Sequence, residues 1–171
     1  MGESIATWLL GLFLLWVLIA TFYLHGLRRM AQARETQARR GIAELALRVS
    51  GWRRVLESLG QREWREAAAT VERALEALTG HAPLAELLDM ASEVKLLFQE
   101  HRDTACRAAD AMSIQSRERA AELDRAFHRL ATDVARYNAS AMDAAFACER
   151  FPLSLLAMAV GLRKLDVVAY N

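Results

Sequence analysis

Nineteen consecutive residues from Ala6 to Leu24, ATWLLGLFLLWVLIATFYL, carry no charge, and only two threonines and a glycine interrupt them. At about 1.5 Å of rise per residue, a helix over this run is roughly 28 Å long, close to the ~30 Å hydrocarbon core of a bilayer. Trp8 near one end and Tyr23 near the other carry amphipathic rings suited to the two membrane interfaces. A cleavable signal peptide has a basic leading segment, a shorter apolar run and a small-residue cleavage site. Here the lead is Met1-Gly2-Glu3-Ser4, which is acidic, and His25-Gly26-Leu27-Arg28-Arg29 follows the run. The segment 1–26 is therefore read as an uncleaved transmembrane anchor. Gly2 does not announce myristoylation, because Ala6 stands where that motif requires Ser or Thr. Arg28, Arg29 and Arg34 follow the span and no basic residue precedes it, which places the amino end outside and the remainder in the cytoplasm.

The rest of the chain reads differently. A length of 171 residues fits one domain and excludes a large multidomain enzyme. Twenty-two basic residues against 21 acidic leave a net charge of +1, against the basic excess of a dedicated nucleic-acid binder. Two prolines and eight glycines supply too few turns for a multi-stranded β fold. The fold class is all-α: an N-terminal transmembrane helix continuing into a long antiparallel four-helix cytoplasmic bundle.

Apolar residues recur at alternating spacings of three and four, as a buried helical stripe requires. Ala38, Ile42, Leu45, Val49, Trp52, Leu56 and Leu59 define a helix over about 27–59, continuous with the span and capped at Gly60. Gly41 and Gly51 each cost that helix about 1 kcal/mol relative to Ala without breaking its period. Trp64, Ala68, Val71, Leu75 and Leu78 define a second over about 61–79, which stops at Gly80 before the turn His81-Ala82-Pro83. Leu84, Leu87, Ala91, Val94, Phe98, His101 and Ala105 define a third. The seam loses phase around Ser113–Ser116, where either serine suits a helix cap. It restarts as Leu123, Phe127, Leu130, Val134, Tyr137, Ala141, Ala144, Cys148 and Phe151. One kinked helix from 83 to 150 is the alternative, and it makes a three-helix bundle.

Short turns make neighbouring helices antiparallel, so the last helix returns to the bilayer from which the first departs. Phe151 to Leu162 then gives 12 nearly all-apolar residues ahead of Arg163-Lys164, too short to span. Two readings stand for this segment. It folds back on the bundle as core, or it lies in the membrane interface with Arg163 and Lys164 at anionic headgroups.

No catalytic, cofactor-binding or metal-binding constellation is legible. His25, His81, His101 and His128 form no pair at metal-ligand spacing, and His101 falls at the edge of the third seam. His101-Arg102-Asp103 matches a kinase triplet, but lies in a helical pattern with no other kinase motif. Cys106 and Cys148 sit among alanines, as packed thiols do. Glu118, Glu122 and Asp124 lie among arginines and read as a solvated face.

The carboxyl end resembles the LemA family of bacterial membrane proteins. That family carries a Tyr-Asn pair, a second pair seven residues on, then Phe-Pro, apolar residues, an alanine, and a glycine followed by a hydrophobe. Tyr137-Asn138 matches the first pair, and Phe151-Pro152 follows Tyr137 at the family's spacing of 14 residues. Leu155, Leu156, Ala157, Gly161 and Leu162 continue the pattern. The second pair falls on Ala144-Ala145, and the Trp and Asp usual just after the family's span are not found around Ala33–Leu47. The resemblance implies a helical bundle on one anchor with no enzymatic activity, in membrane organisation or envelope homeostasis. One branch of the family belongs to magnetosome membranes.

Three segments are expected: an anchor over 1–26, a helical bundle over 27–150, and an apolar membrane-proximal tail over 151–171. The expected function is a non-enzymatic scaffold of the bacterial cytoplasmic membrane, or a membrane derived from it. Its partners are the bilayer and either a protein or a second copy of the chain, with no nucleic acid, small-molecule substrate or cofactor. The alternative is a membrane-shaping or lipid-binding protein acting through the span and the 151–164 segment.

Overall fold

The protein is described here by a computed structural model covering residues 2–58, 62–78, 82–108 and 113–170. The side chains of 2–4, 58, 62–65, 67, 77, 103–108 and 113–116 fall outside that description. Among the described residues the chain is all-α: α1 (Gly2–Ser58), α2 (Arg62–Leu78), α3 (Leu84–Ala108), α4 (Ser113–Glu149) and α5 (Leu153–Val160). Gly60, Gly80 and His81, expected at turns, lie outside the described residues, as do the side chains of Trp64, Ala105, Cys106, Ser113 and Ser116. The chain divides into two compact units. One comprises residues 1–34 and 136–167, the other 35–135 and 168–171.

In the second unit the periodic residues fill the core. Ala38, Ile42, Leu45, Val49, Trp52 and Leu56 of α1 are buried, as are Leu84, Leu87, Ala91, Val94 and Phe98 of α3. His101 is half-buried at the end of that stripe. Three rings from three helices meet there: Trp52 stands edge-on to Phe98 with centroids 5.2 Å apart, and Phe98 lies 5.7 Å from Phe127 of α4. Such aromatic pairs add about 0.5–1.5 kcal/mol to the burial of their area. On α2, Ala68, Val71, Ala74 and Leu78 are buried. Leu75, expected on that stripe, is only half-buried, because Ala74 takes the inward position.

Polar pairs fix the helix directions. Gln37 Nε2 donates to Asp133 Oδ1 at 2.7 Å, Arg129 reaches Glu44 at 3.2 Å, and Arg48 bonds to Glu122. Numbers fall on α4 as they rise on α1, so the two run antiparallel in this unit. Arg102 lies 3.9 Å from Asp124 and Phe98 touches Phe127, so α3 and α4 are antiparallel as well. Two helices folded back on each other in this way are not the one kinked helix over 83–150; along a continuous helix Phe98 and Phe127 would stand about 43 Å apart. Arg53 pairs with Glu72 at 2.6 Å and α2 lies along α3. These ion pairs are partly exposed, worth about 0–1 kcal/mol each, and select register more than they add stability. Pro83 precedes α3 and its carbonyl accepts the Leu87 N–H at 3.2 Å. It thus opens the helix, as proline does where no donor is needed.

The last residues belong to this unit. Val168 is buried, and Lys95 Nζ lies 5.4 Å from the centroid of the Tyr170 ring. The Tyr170 hydroxyl is buried with no hydrogen-bond partner among the described residues, and burial pushes its phenol pKa above the ordinary value. An unsatisfied buried hydroxyl costs about 1–3 kcal/mol. Tyr170→Phe is therefore expected to raise stability by about 1 kcal/mol, measured by urea denaturation of the detergent-solubilised chain.

Candidate membrane-proximal site

The first unit holds the apolar run. From Ile5 to Ile19 no side chain of α1 is buried, and Trp8 and Phe22 are about three-quarters exposed, at 75% and 73%. This helix is long and apolar enough to cross a membrane, with a mean hydropathy of 2.3 in its most apolar stretch. Thr21 Oγ1 donates to the Val17 carbonyl at 2.7 Å, which satisfies within the helix a hydroxyl that an apolar medium would leave unpaired.

Burial on α1 starts at Ala20 and continues at Leu24, Leu27 and Ala31. The buried stripe therefore begins inside the uncharged run, earlier than the seam first legible at Ala38. Leu24 and Leu27 join Ala144 and Ala147 of α4, Ala157 of α5 and Leu162 in one apolar cluster, against which Cys148, Leu156 and Leu165 pack. Small side chains on α4 let the three segments approach closely.

α4 ends at Glu149 and α5 starts at Leu153, with Pro152 as its N-cap and a cis Phe151–Pro152 peptide. Phe151, expected on the buried seam of the fourth helix, is 79% exposed. It lies beyond the last turn of α4, where the helical phase that placed Tyr137, Ala141 and Ala144 inward no longer holds. The apolar segment after it is a helix with two unlike faces. Ala157 is buried and Leu156 half-buried, whereas Leu155 and Met158 are exposed at 60% and 77%. Of the two readings of this segment, the core reading describes one face and leaves the other open.

Two devices end α5. Gly161 adopts the left-handed conformation, φ 70°, which glycine enters without the steric penalty of a Cβ. Its N–H donates to the Met158 carbonyl at 3.1 Å, and the Leu162 N–H donates to the Ala157 carbonyl at 2.9 Å. This is the Schellman arrangement, and the accompanying apolar contact is the pairing of Leu162 with Ala157 in the cluster. The Arg28 guanidinium on α1 donates through Nη1 to the Val160 carbonyl at 2.9 Å. A cation there meets an unpaired carbonyl and the negative end of the helix dipole. Gly161→Ala is expected to cost about 1 kcal/mol, from the left-handed backbone alone. An added Cβ would lie 3.5 Å from Arg28 Nη1, an ordinary contact. Thermal denaturation of the solubilised chain reads the loss.

Two charged contacts border the cluster. Lys164 Nζ donates to Glu149 Oε1 at 2.7 Å, which holds the Glu149 carboxyl below its ordinary range and raises Lys164. Arg150 stacks over the Phe146 ring at 3.7 Å. The Cys148 thiol is free, lies 3.8 Å from the Leu162 carbonyl, and is raised in pKa first by burial and then by Glu149. A raised thiol holds little thiolate near neutral pH, the opposite of an activated nucleophile.

Of the resembling pair, Tyr137 is buried on α4 and its hydroxyl donates to the Asp166 carbonyl at 3.4 Å, tying down the extended tail. Asn138 is half-buried beside it. His25 and His128 are exposed, and no group of three His, Cys, Asp or Glu side chains able to hold a metal occurs among the described residues. Sequence reasoning missed that α5 is a helix and that Arg28 caps it. Gly161 at the end of an apolar run signals the first, whereas nothing local signals the second. Comparison of the chain with protein-family models, with curated proteins and with solved structures finds no match.

Proposed function

We propose that the chain is a non-enzymatic, single-pass membrane protein of the LemA type. Its antiparallel helical bundle serves as a scaffold for a partner protein or for a second copy of the chain. The reading places it in the bacterial cytoplasmic membrane or a membrane derived from it, amino end outside and bundle in the cytoplasm. Its work is membrane organisation or envelope homeostasis.

The observation that carries this reading is the unburied apolar stretch from Ile5 to Ile19, which continues without a helix break into the body's own α1. A soluble chain exposing so large an apolar patch would associate or precipitate. The non-enzymatic element rests on how polar side chains are used. Gln37, Glu44, Arg48, Glu122, Arg129 and Asp133 pair with one another between helices. The basic residues at 28, 29 and 34 support the orientation.

In-cell cross-linking of a tagged full-length chain, followed by mass spectrometry of the membrane fraction, tests the scaffold reading. It predicts one recurrent membrane-protein partner or a defined oligomer. A purified chain that is monomeric and captures nothing in cells overturns it. A reporter fused at either end tests the orientation, with the carboxyl-terminal fusion active only on the cytoplasmic side.

A further inference from the structure

We infer that α5 is seated in the bilayer, with the preceding Phe151 and its own Leu155 and Met158 among the acyl chains at the headgroup boundary of the leaflet that holds the Leu24 end of the uncharged run. The inference rests on the membrane-anchor reading and names the ligand of the tail: phospholipid.

Length sets the depth. A helix needs about 20 apolar residues to cross a ~30 Å hydrocarbon core. The uncharged run provides 19, from Ala6 to Leu24. Its last turns are not free for lipid all round, because Ala20 and Leu24 are buried and Leu24 shares a cluster with Ala144, Ala147, Ala157 and Leu162. Among the described side chains, the stretch with none buried, Ile5 to Ile19, measures about 22 Å. If the whole run lies in hydrocarbon, whatever covers Leu24 lies at the same depth. The covering residues are the tip of α4 and one face of α5.

The chemistry of α5 fits that depth. From Phe151 to Leu162 there is no charged residue, and the only side-chain hydroxyl is that of Ser154. Three of the four carbonyls that end it are met without water: the glycine turn satisfies those of Ala157 and Met158, and Arg28 satisfies that of Val160. The exposed side chains Phe151, Leu155 and Met158 belong to the same unit as Phe22 and Tyr23, which are exposed beside buried Leu24 at the end of the run. Charge reappears immediately outside the segment, at Glu149 and Arg150 before it and Arg163 and Lys164 after it. An apolar helix flanked by charge at both ends, and held against the base of a span, matches an interfacial segment.

Site-directed spin labelling of the full-length chain tests the assignment. Single cysteines replace Leu14, Phe151, Leu155, Met158 or Asp166 in a background with Cys106→Ser and Cys148→Ala. Each labelled chain is reconstituted in vesicles of phosphatidylethanolamine and phosphatidylglycerol. Contact with dissolved oxygen against contact with a water-soluble nickel chelate reports depth. Labels from Phe151→Cys, Leu155→Cys and Met158→Cys are expected to favour oxygen, as Leu14→Cys does, while Asp166→Cys favours nickel. Phe151, Leu155 and Met158 are exposed, so substituting them removes no core packing. If the three labels are as nickel-accessible as Asp166→Cys while Leu14→Cys is shielded, the inference is overturned and the anchor stands. If Leu14→Cys is nickel-accessible as well, the anchor reading fails and takes the inference with it.

Discussion

Trp52→Ala is expected to destabilise the helical body by about 3–5 kcal/mol, the range for truncating a large buried aromatic side chain. Trp52 is 2% exposed, and its ring stands edge-on to Phe98, itself packed on Phe127. Removing it leaves a void where α1, α3 and α4 meet, and rigid helices collapse only partly into such a void. Against a total stability of about 5–15 kcal/mol, the loss is enough to populate unfolded chain. Urea denaturation of the detergent-solubilised protein, followed by far-ultraviolet circular dichroism, measures it. Leu47→Ala is the control. Leu47 lies on the same helix but is 72% exposed, so its truncation should move stability by no more than about 0.5 kcal/mol. Equal losses in the two variants would place the core elsewhere.

Charges in the apolar run are expected to release the chain from the membrane. Leu12 and Leu15 lie in the unburied stretch, and each Leu→Asp replacement near the centre of a span costs about 3 kcal/mol of insertion free energy. Together they cost about 6 kcal/mol, enough to move most of the chain from the membrane pellet to the carbonate-extractable fraction. Because neither side chain is buried, the body should keep its helicity. A double variant that remains fully in the pellet would show that something other than this helix holds the protein there.

What the residues disclosed in advance follows from what a helix repeats. The stripe from Ala38 to Leu56 was legible because a buried seam recurs every three or four residues, and each of its members is buried. Tyr137, Ala141 and Ala144 were legible for the same reason. Phe151 was misplaced because that period says nothing of where a helix stops, and α4 stops at Glu149. The burial of Ala20 and Leu24 was hidden within a run already uniform in hydrophobicity. Periodicity needs polar residues between apolar ones to be visible, and the run has almost none. Arg28 read as a topology signal, and its bond to Val160 joins residues 132 apart in sequence. Only the fold brings those two together.

The early start of burial at Ala20 also bears on the area of each leaflet. With α5 seated as inferred, the far leaflet holds one helix, about 10 Å across. The near leaflet holds that helix plus a second, shorter one and the tip of a third. Each copy would then expand one leaflet more than the other, and a bilayer relieves such an imbalance by bending toward the side with less inserted. One molecule bends it little. Many copies side by side would add their increments, so the density of the protein would set the local curvature, and a curved membrane would in turn hold it preferentially.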